Sequence, residues 1–353
     1  MRHVISMLAL SAVLAGCSLT AGEDPPEVRE SGETTGGTVV LVTHESFNLP
    51  KPLVKQFEAD SGYELEVRAA GDAGTLTTKL AVTADNPTGD VAFGVDNTFA
   101  SRALDEGVFD TADVDLPVGA EDFVVPGDDG ERLVPVDTGN VCVNVDTAWF
   151  AERDLDPPTS LDDLTDPAYE GLFVTPSALS SSPGLAFLMT TVAAYGDDWP
   201  AYWEDLLAND AKVVDGWTDA YFTDFTGGSE DGTRPVVLSY DSSPAFTVPK
   251  GGGDSTTAAL LDTCFRQVEY AGVLAGADNP DGARALVEFL LGEDVQAALP
   301  ESMYVFPVRD GIELPPDWEA YAEQPTDPVV LDPAEIAANR DDWLEQWRDL
   351  VTQ

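Results

Sequence analysis

Cysteine and histidine supply the nucleophiles and metal ligands of many protein sites, and this sequence contains few of either. It has three cysteines, at positions 17, 142 and 264, and two histidines, His3 and His44. Zinc and related metals require several such ligands at short spacings. Cys142 and Cys264 lie far apart in the sequence and neither neighbours a histidine. We therefore expect no metal site, and nothing in the sequence indicates a cofactor.

The N-terminus has the pattern of an export signal. Arg2 and His3 precede an apolar run that is too short for a permanent membrane-spanning helix. The run ends in Leu14-Ala15-Gly16-Cys17, which resembles the lipobox of bacterial lipoproteins. We predict that residues 1–16 are a lipoprotein signal peptide and that Cys17 is lipidated, with an ordinary secretory signal as the alternative. The protein is then anchored by lipid to the outer face of the cytoplasmic membrane, on the periplasmic or extracellular side.

Export determines the chemistry expected of the other two cysteines. With Cys17 occupied by the anchor, Cys142 and Cys264 form an even pair in an oxidising compartment. Each lies in a strand-like segment. We predict a disulfide between them, and two buried free thiols are the alternative.

The composition is that of a folded and strongly acidic protein. Of 353 residues, 17 are Lys or Arg and 65 are Asp or Glu, which gives a formal net charge of −48. The hydrophobic fraction of 43% is sufficient for a real core, so the acidity does not indicate disorder. The electric field of so negative a protein repels phosphate backbones, and this excludes nucleic acid as a partner. We attribute most of the charge to a solvated surface, with only a weak indication of a cationic ligand.

Strand and helix patterns alternate along the chain and predict an α/β fold. Strands are predicted at 38–43, 64–68 and 90–95, with helices between them, and this order favours a parallel sheet flanked by helices. A second run begins near Val141, and the chain returns through a strand at 265–271. The chain thus passes twice between the two runs, once near Val141 and once at 265–271. Two such passages predict two lobes with a cleft between them, where helix N-termini and glycine turns face a ligand. The pattern favours a hinged binding protein over an enzyme.

The two passages of the chain between the lobes also predict the domain boundaries. Residues 17–37 are rich in Gly, Glu, Thr and Pro and form a flexible tether. Lobe 1 comprises residues 38–140 and 268–320, and lobe 2 comprises 141–267. Residues 321–353 form a C-terminal helical segment that packs on the lobes, with Asp332 as the N-cap of its helix.

Seven short segments of the sequence form a recognisable set. They are THESF (43–47), GVDN (94–97), SSPGL (181–185), GWTDAY (216–221), LSYDSSPAF (238–246), YVFPV (304–308) and PAEIAA (333–338), the last followed by Trp343 and Trp347. Together they resemble the substrate-binding proteins of bacterial thiamine ABC transporters, and the resemblance extends from Val39 to about Leu350. The resemblance implies a two-lobed, type II-like periplasmic-binding-protein fold with a ligand cleft between lobes joined by hinge strands. It implies a monomer that captures thiamine, or its mono- or diphosphate, and delivers it to an ABC permease and ATPase.

The resemblance also implies which residues contact the ligand. Aromatic faces bind flat cationic rings, each good contact contributing roughly 0.5–2 kcal/mol. Asp241 is expected to meet the cation or the pyrimidine amine, and the serines before the helix at 184–195 to hold a hydroxyl or phosphate. The implied ligand-binding residues are Asp72, Ala73, Ser181, Ser182, Trp217, Tyr240, Asp241, Ser242, Ser243, Phe246 and Tyr304.

The sequence departs from the family pattern at three positions. His44-Glu45 replaces a frequent Tyr-Asp, Tyr304 replaces Trp, and Phe246 replaces Tyr. One alternative function keeps the fold and changes the ligand to another small cation or an anion. The other is a thiaminase I-like enzyme, which resembles these proteins in fold and would require a free thiolate at Cys142 or Cys264. We expect no enzymatic activity.

Overall fold

A computed structural model describes residues 36–352, which belong to one compact unit, Thr34–Gln353. The predicted signal peptide, Cys17 and all but the last two residues of the tether lie outside the described residues. The strands are β1 (Thr38–Thr43), β2 (Glu64–Ala69), β3 (Val91–Asp96), β4 (Val134–Asp146), β5 (Phe173–Pro176), β6 (Lys212–Val214), β7 (Val236–Tyr240), β8 (Thr257–Ala259), β9 (Phe265–Val273) and β10 (Phe306–Pro307).

The α-helices alternate with the strands through much of the chain, and none within residues 36–352 is long and apolar enough to cross a membrane. They are α1 (Lys51–Ser61), α2 (Ala73–Val82), α3 (Ala100–Asp105), α4 (Thr147–Glu152), α5 (Ser182–Tyr195), α6 (Trp199–Ala208), α7 (Trp217–Asp219), α8 (Pro280–Leu290), α9 (Glu293–Met303), α10 (Pro316–Tyr321) and α11 (Pro333–Val351).

All the strands belong to one mixed sheet. Its order is β2-β1-β3-β9-β4-β7-β5-β6, with β8 and β10 each paired to β4. The strands β1, β2 and β3 are mutually parallel, as the alternating pattern predicted. The strands β5, β6 and β7 form a second parallel group. The α/β, parallel-rich fold class is therefore confirmed.

Strand β4 joins the two parallel groups. All 13 of its residues are buried. Its first part, Val134 to Val141, pairs antiparallel with β9, and its second part, Val141 to Val145, pairs with β7. Since β9 also pairs with β3, the strands β4 and β9 are the two connections between the halves of the sheet.

The predicted disulfide is present between Cys142 in β4 and Cys264, which directly precedes β9. The last ladder pair of these strands is Val141 with Phe265, so the bridge adjoins the point where β4 leaves β9 for β7. The covalent bond therefore fixes the two connecting strands together where the halves of the sheet diverge.

The C-terminal helix α11 begins as predicted. The side chain of Asp332 accepts a hydrogen bond from the Ala334 N–H over 2.8 Å. Trp347 is buried and packs edge-on against Trp203 of α6, with 5.5 Å between ring centroids. The helix also contacts α3, so it lies against helices from both halves of the sheet.

Candidate ligand-binding site

A cavity that opens to solvent lies between the two halves of the sheet. Its walls come from the ends of β1 and β7, from β9, and from the starts of α2, α5 and α7. This is the position at which open α/β sheets bind ligands, beyond the carboxyl ends of parallel strands. The lining residues are His44, Ser46, Asp72, Ala73, Ser182, Pro183, Trp217, Tyr240, Gln267, Glu269, Met303, Tyr304 and Val305.

Trp217 is the centre of an aromatic cluster in this cavity. Its indole is 8% exposed, and its Nε1–H donates to Ser239 Oγ over 2.9 Å, which fixes the ring plane. Tyr221 stacks on it with centroids 5.3 Å apart, while Tyr240 and Tyr304 approach at 6.1 and 6.4 Å. The cluster presents aromatic faces suited to a flat ring.

Tyr304 is held in an unusual backbone conformation. It follows α9 with a φ of 66°, in the left-handed region that side chains other than glycine rarely adopt. Its carbonyl accepts a hydrogen bond from the Ser242 hydroxyl over 2.6 Å. Its ring meets Phe246 edge-on, with centroids 4.3 Å apart. Such strain is retained where surrounding contacts fix it, and it directs the Tyr304 ring toward the cavity.

A second cavity adjoins the first and shares Trp217 and Tyr304 with it. Phe246 and Ser243 lie here rather than in the first cavity. The Ser243 hydroxyl is 2.8 Å from Ser239 Oγ, the same oxygen that receives the Trp217 indole N–H. The two cavities therefore meet at Trp217 and Tyr304.

The predicted serines have different environments. Ser182 lines the first cavity, and its hydroxyl lies beside the buried carboxyl group of Asp96. Ser181 precedes α5, but its hydroxyl makes no capping hydrogen bond and is fully buried beside the carboxyl group of Asp72. Ser242 is used to hold the Tyr304 carbonyl.

Asp241 is placed away from both cavities. It is fully buried, and its carboxylate accepts hydrogen bonds from the Asn140 backbone N–H over 3.1 Å and from Asn140 Nδ2 over 2.7 Å. Burial raises its pKa to about 6. These contacts tie the end of β7 to β4, so the geometry gives Asp241 a structural role in place of the predicted ligand contact.

Asp72, in contrast, lies in the cavity wall and bridges its two sides. Its carboxylate accepts the Ala73 N–H over 2.6 Å, which caps α2, and the Trp217 N–H over 3.0 Å. Burial raises its pKa. Asp72 therefore joins the start of α2 to the start of α7.

Sequence reasoning missed two ionisable groups in the cavity, His44 and Glu269. His44 Nε2 lies 3.5 Å from Glu269 Oε1, and burial lowers the His44 pKa to about 4. Glu269 and Gln267 are polar residues two apart in a strand that is otherwise largely apolar. That spacing places both on one face of β9 and could have indicated a polar site.

The fold and this cleft define the class of the protein: an α/β binding protein whose ligand site lies between two halves joined by connecting strands. The chain belongs to the bacterial extracellular solute-binding protein family, whose family model matches residues 52–326. Membership of this family places it among proteins that bind solutes outside the cytoplasm.

The chain aligns with its curated relatives over most of their length. The chain is 30% identical over 321 residues to the thiamine-binding periplasmic protein of Escherichia coli, covering 89% of this chain and 94% of the relative. It is also 30% identical to the thiamine-binding periplasmic protein of Brucella suis, covering 88% and 91%.

Solved structures show the same fold. A periplasmic thiamin binding protein superposes with a TM-score of 0.78 at 29% identity, covering 90% of this chain and 96% of that one. The apo ferric ion-binding protein A of Pasteurella haemolytica superposes with a TM-score of 0.69 at 17% identity, a level that concerns the fold alone.

Proposed function

We propose that this protein captures thiamine outside the cytoplasmic membrane and delivers it to an ABC permease and its ATPase. The observation that carries the proposal is the cleft itself. It places the aromatic rings of Trp217, Tyr240 and Tyr304 around one cavity together with the carboxyl group of Glu269. Thiamine combines flat rings with a permanent positive charge, and this is the combination that such a cavity binds. The names of the relatives support the same ligand.

The ligand's tail has a separate candidate contact. Ser182 and the first turn of α5 line the cavity, and a helix N-terminus favours a hydroxyl or a phosphate group. Thiamine monophosphate and diphosphate therefore remain candidate ligands beside thiamine. We assign direct contact to Asp72, Ala73, Ser182, Trp217, Tyr240 and Tyr304, and contact from the second cavity to Ser243 and Phe246.

Capture requires the two lobes to move. We propose lobe 1 at residues 38–140 and 268–320 and lobe 2 at 141–267, with β4 and β9 as the hinge and residues 321–353 packed across them. A ligand that contacts both lobes stabilises the closed state relative to the open one, and this differential affinity drives closure. The protein acts as a monomer, held to the membrane by the predicted lipid on Cys17.

We propose that the protein binds thiamine without transforming it. A thiaminase I-like reaction needs a free cysteine thiolate, whereas the sulfurs of Cys142 and Cys264 are bonded to each other. Incubation with thiamine and a nucleophilic co-substrate tests this directly. Recovery of intact thiamine is expected, and turnover would overturn the transport function. The alternative of another small cation or an anion predicts saturable binding of that solute and none of thiamine.

A further inference from the structure

Glu269 is a buried carboxyl group in the cavity wall without a cationic partner. Glu269 is only 6% exposed to solvent. No lysine or arginine is among the described residues that line the first cavity. The nearest basic group is His44, whose Nε2 is 3.5 Å from Glu269 Oε1, and burial keeps that ring neutral. The ring nitrogen itself is buried and has no hydrogen-bond partner in residues 36–352, so the polar wall of the cavity is unsatisfied.

A second carboxyl group lies behind Glu269. Asp137 of β4 is directly opposite Glu269 of β9 in the strand ladder and is fully buried. Neither of its carboxylate oxygens accepts a hydrogen bond from an N–H or O–H group of the described residues. The carboxyl groups of Asp137 and Glu269 lie within hydrogen-bonding reach of each other. Two adjacent buried carboxylates cannot both be ionised without a compensating charge.

The other elements packed around Glu269 add no positive charge. Asp96 of β3 is opposite Glu269 on its other side, and Asp72 faces it from the start of α2. Tyr240 approaches from β7, with its phenol pKa raised well above the usual value by burial. Helix α5 contributes no charged side chain to β9.

Helix α8 also packs on β9, and its charged groups are Asp281, Arg284 and Glu288. Arg284 pairs with Asp281 over 3.1 Å at the surface, and Glu288 is exposed. Burial and repulsion from Asp137 raise the pKa of Glu269 well above its usual value, and burial raises the pKa of Asp137 to about 8. The pair therefore holds at least one proton in the empty cleft near neutral pH.

We propose that Glu269 is the residue that selects a positively charged ligand, and that the Glu269–Asp137 pair releases a proton to solvent when the cation enters the cavity. This inference rests on the proposed function. The cation takes the place of the proton as the compensating charge, so one positive charge enters as one leaves. A neutral ligand of the same shape displaces no proton and gains nothing from Glu269. Affinity for the cation consequently rises with pH until the pair is ionised in the empty protein.

Calorimetric titration tests the inference with two probes, thiamine and its neutral isostere in which a thiophene replaces the thiazolium. Soluble protein from Thr34 onward is titrated near pH 7 in two buffers of different ionisation enthalpy, which counts the protons released. We expect about one proton per thiamine and close to none with the isostere. Glu269→Gln should weaken thiamine binding at least tenfold, change binding of the isostere less than about threefold, and abolish proton release.

Two further variants keep the test decisive. Asp137→Asn removes the repulsion behind Glu269 and should reduce proton release while thiamine still binds. Glu204→Gln, an exposed carboxylate on α6, is the matched control and should behave as the unmodified protein. Tight thiamine binding without proton release, or equal losses for thiamine and the isostere in Glu269→Gln, would overturn this inference alone. Absence of thiamine binding by the unmodified protein would overturn the proposed function and this inference with it.

Discussion

Asp72 and Trp217 are 145 residues apart in the sequence, and the backbone N–H of Trp217 donates a hydrogen bond to Asp72 Oδ2 over 3.0 Å. The same carboxylate accepts the Ala73 N–H at the start of α2. A nearby pair, Ser46 Oγ and Thr218 Oγ1, lies 3.4 Å apart and joins the loop after β1 to α7. One half-buried carboxylate therefore connects the two sides of the cleft at its aromatic centre.

The first prediction concerns this connection. Asp72→Ala should raise the dissociation constant for thiamine at least tenfold, because a hydrogen bond to a charged group contributes about 1.5–3 kcal/mol and the closed state would lose it. Calorimetric titration measures the change. Asp332→Ala is the matched control, since Asp332 caps α11 outside the cleft. It should lower the melting temperature through loss of a cap while leaving thiamine affinity unchanged. Equal affinities for the two variants would argue against the connection.

Trp217 is predicted to provide the main stacking surface. Trp217→Ala should weaken thiamine binding at least tenfold, because it removes the ring around which Tyr221, Tyr240 and Tyr304 are arranged. Trp149→Ala is the control, since Trp149 packs against Arg153 on α4, away from both cavities. Titrations of the two variants under identical conditions give the comparison. A Trp217 variant that binds as tightly as the Trp149 variant would place the ligand elsewhere.

The disulfide is predicted to stabilise the folded state. The double variant Cys142→Ala/Cys264→Ala should lower the free energy of unfolding by about 2–4 kcal/mol, because the bridge restricts a long loop in the unfolded chain. Denaturant unfolding under non-reducing conditions measures this difference. A thiol count on denatured, unreduced protein from Thr34 onward should be near zero. Two reactive thiols would show that the bridge does not form.

Buried carboxyl groups give the stability a defined pH dependence. Burial raises the pKa of Asp137 to about 8, so this group binds a proton in the folded state and loses it on unfolding. Its contribution is fully present below the ordinary aspartate pKa near 4 and is lost as pH rises through about 8. Between pH 6.5 and pH 8.5 this loss should lower the free energy of unfolding by roughly 2 kcal/mol.

Asp137→Asn isolates that contribution. The unmodified protein should melt at a lower temperature at pH 8.5 than at pH 6.5, and the variant should show a smaller difference. Burial lowers the pKa of His44 to about 4, so this residue makes the folded state less stable as the pH falls. That effect occurs only below about pH 6.5, outside this window. Identical pH profiles for the two proteins would contradict the assignment of a buried proton to this site.

The sequence predicts local features well where the cause is local. Asp332 and Asp72 both precede a helix and are observed to cap α11 and α2. Strand β4 was predicted only from Val141, whereas it begins at Val134. Its earlier residues include Asp137 and Asn140, which indicate a loop by composition and become buried only through pairing with β9.

The residues of the cleft also show that the sequence predicts local features better than long-range pairing. Family motifs brought together Asp72, Trp217, Tyr240 and Tyr304, which do share one cavity. The pairing of Asp137 with Glu269 depends on the register between β4 and β9, which no local pattern specifies. Asp241 belongs to a ligand-like motif, yet its neighbour across the ladder, Asn140, holds its carboxylate inside the structure.

Titration of the soluble protein with thiamine tests the central claim most directly. Calorimetry or tryptophan fluorescence, with a polyamine as the control cation, should show one saturable thiamine site with a submicromolar dissociation constant and no comparable site for the polyamine. The aromatic cluster around Trp217 provides the fluorescence signal as well as the binding surface. A protein that is folded by its melting transition and gives no saturable response to thiamine would contradict the proposed function.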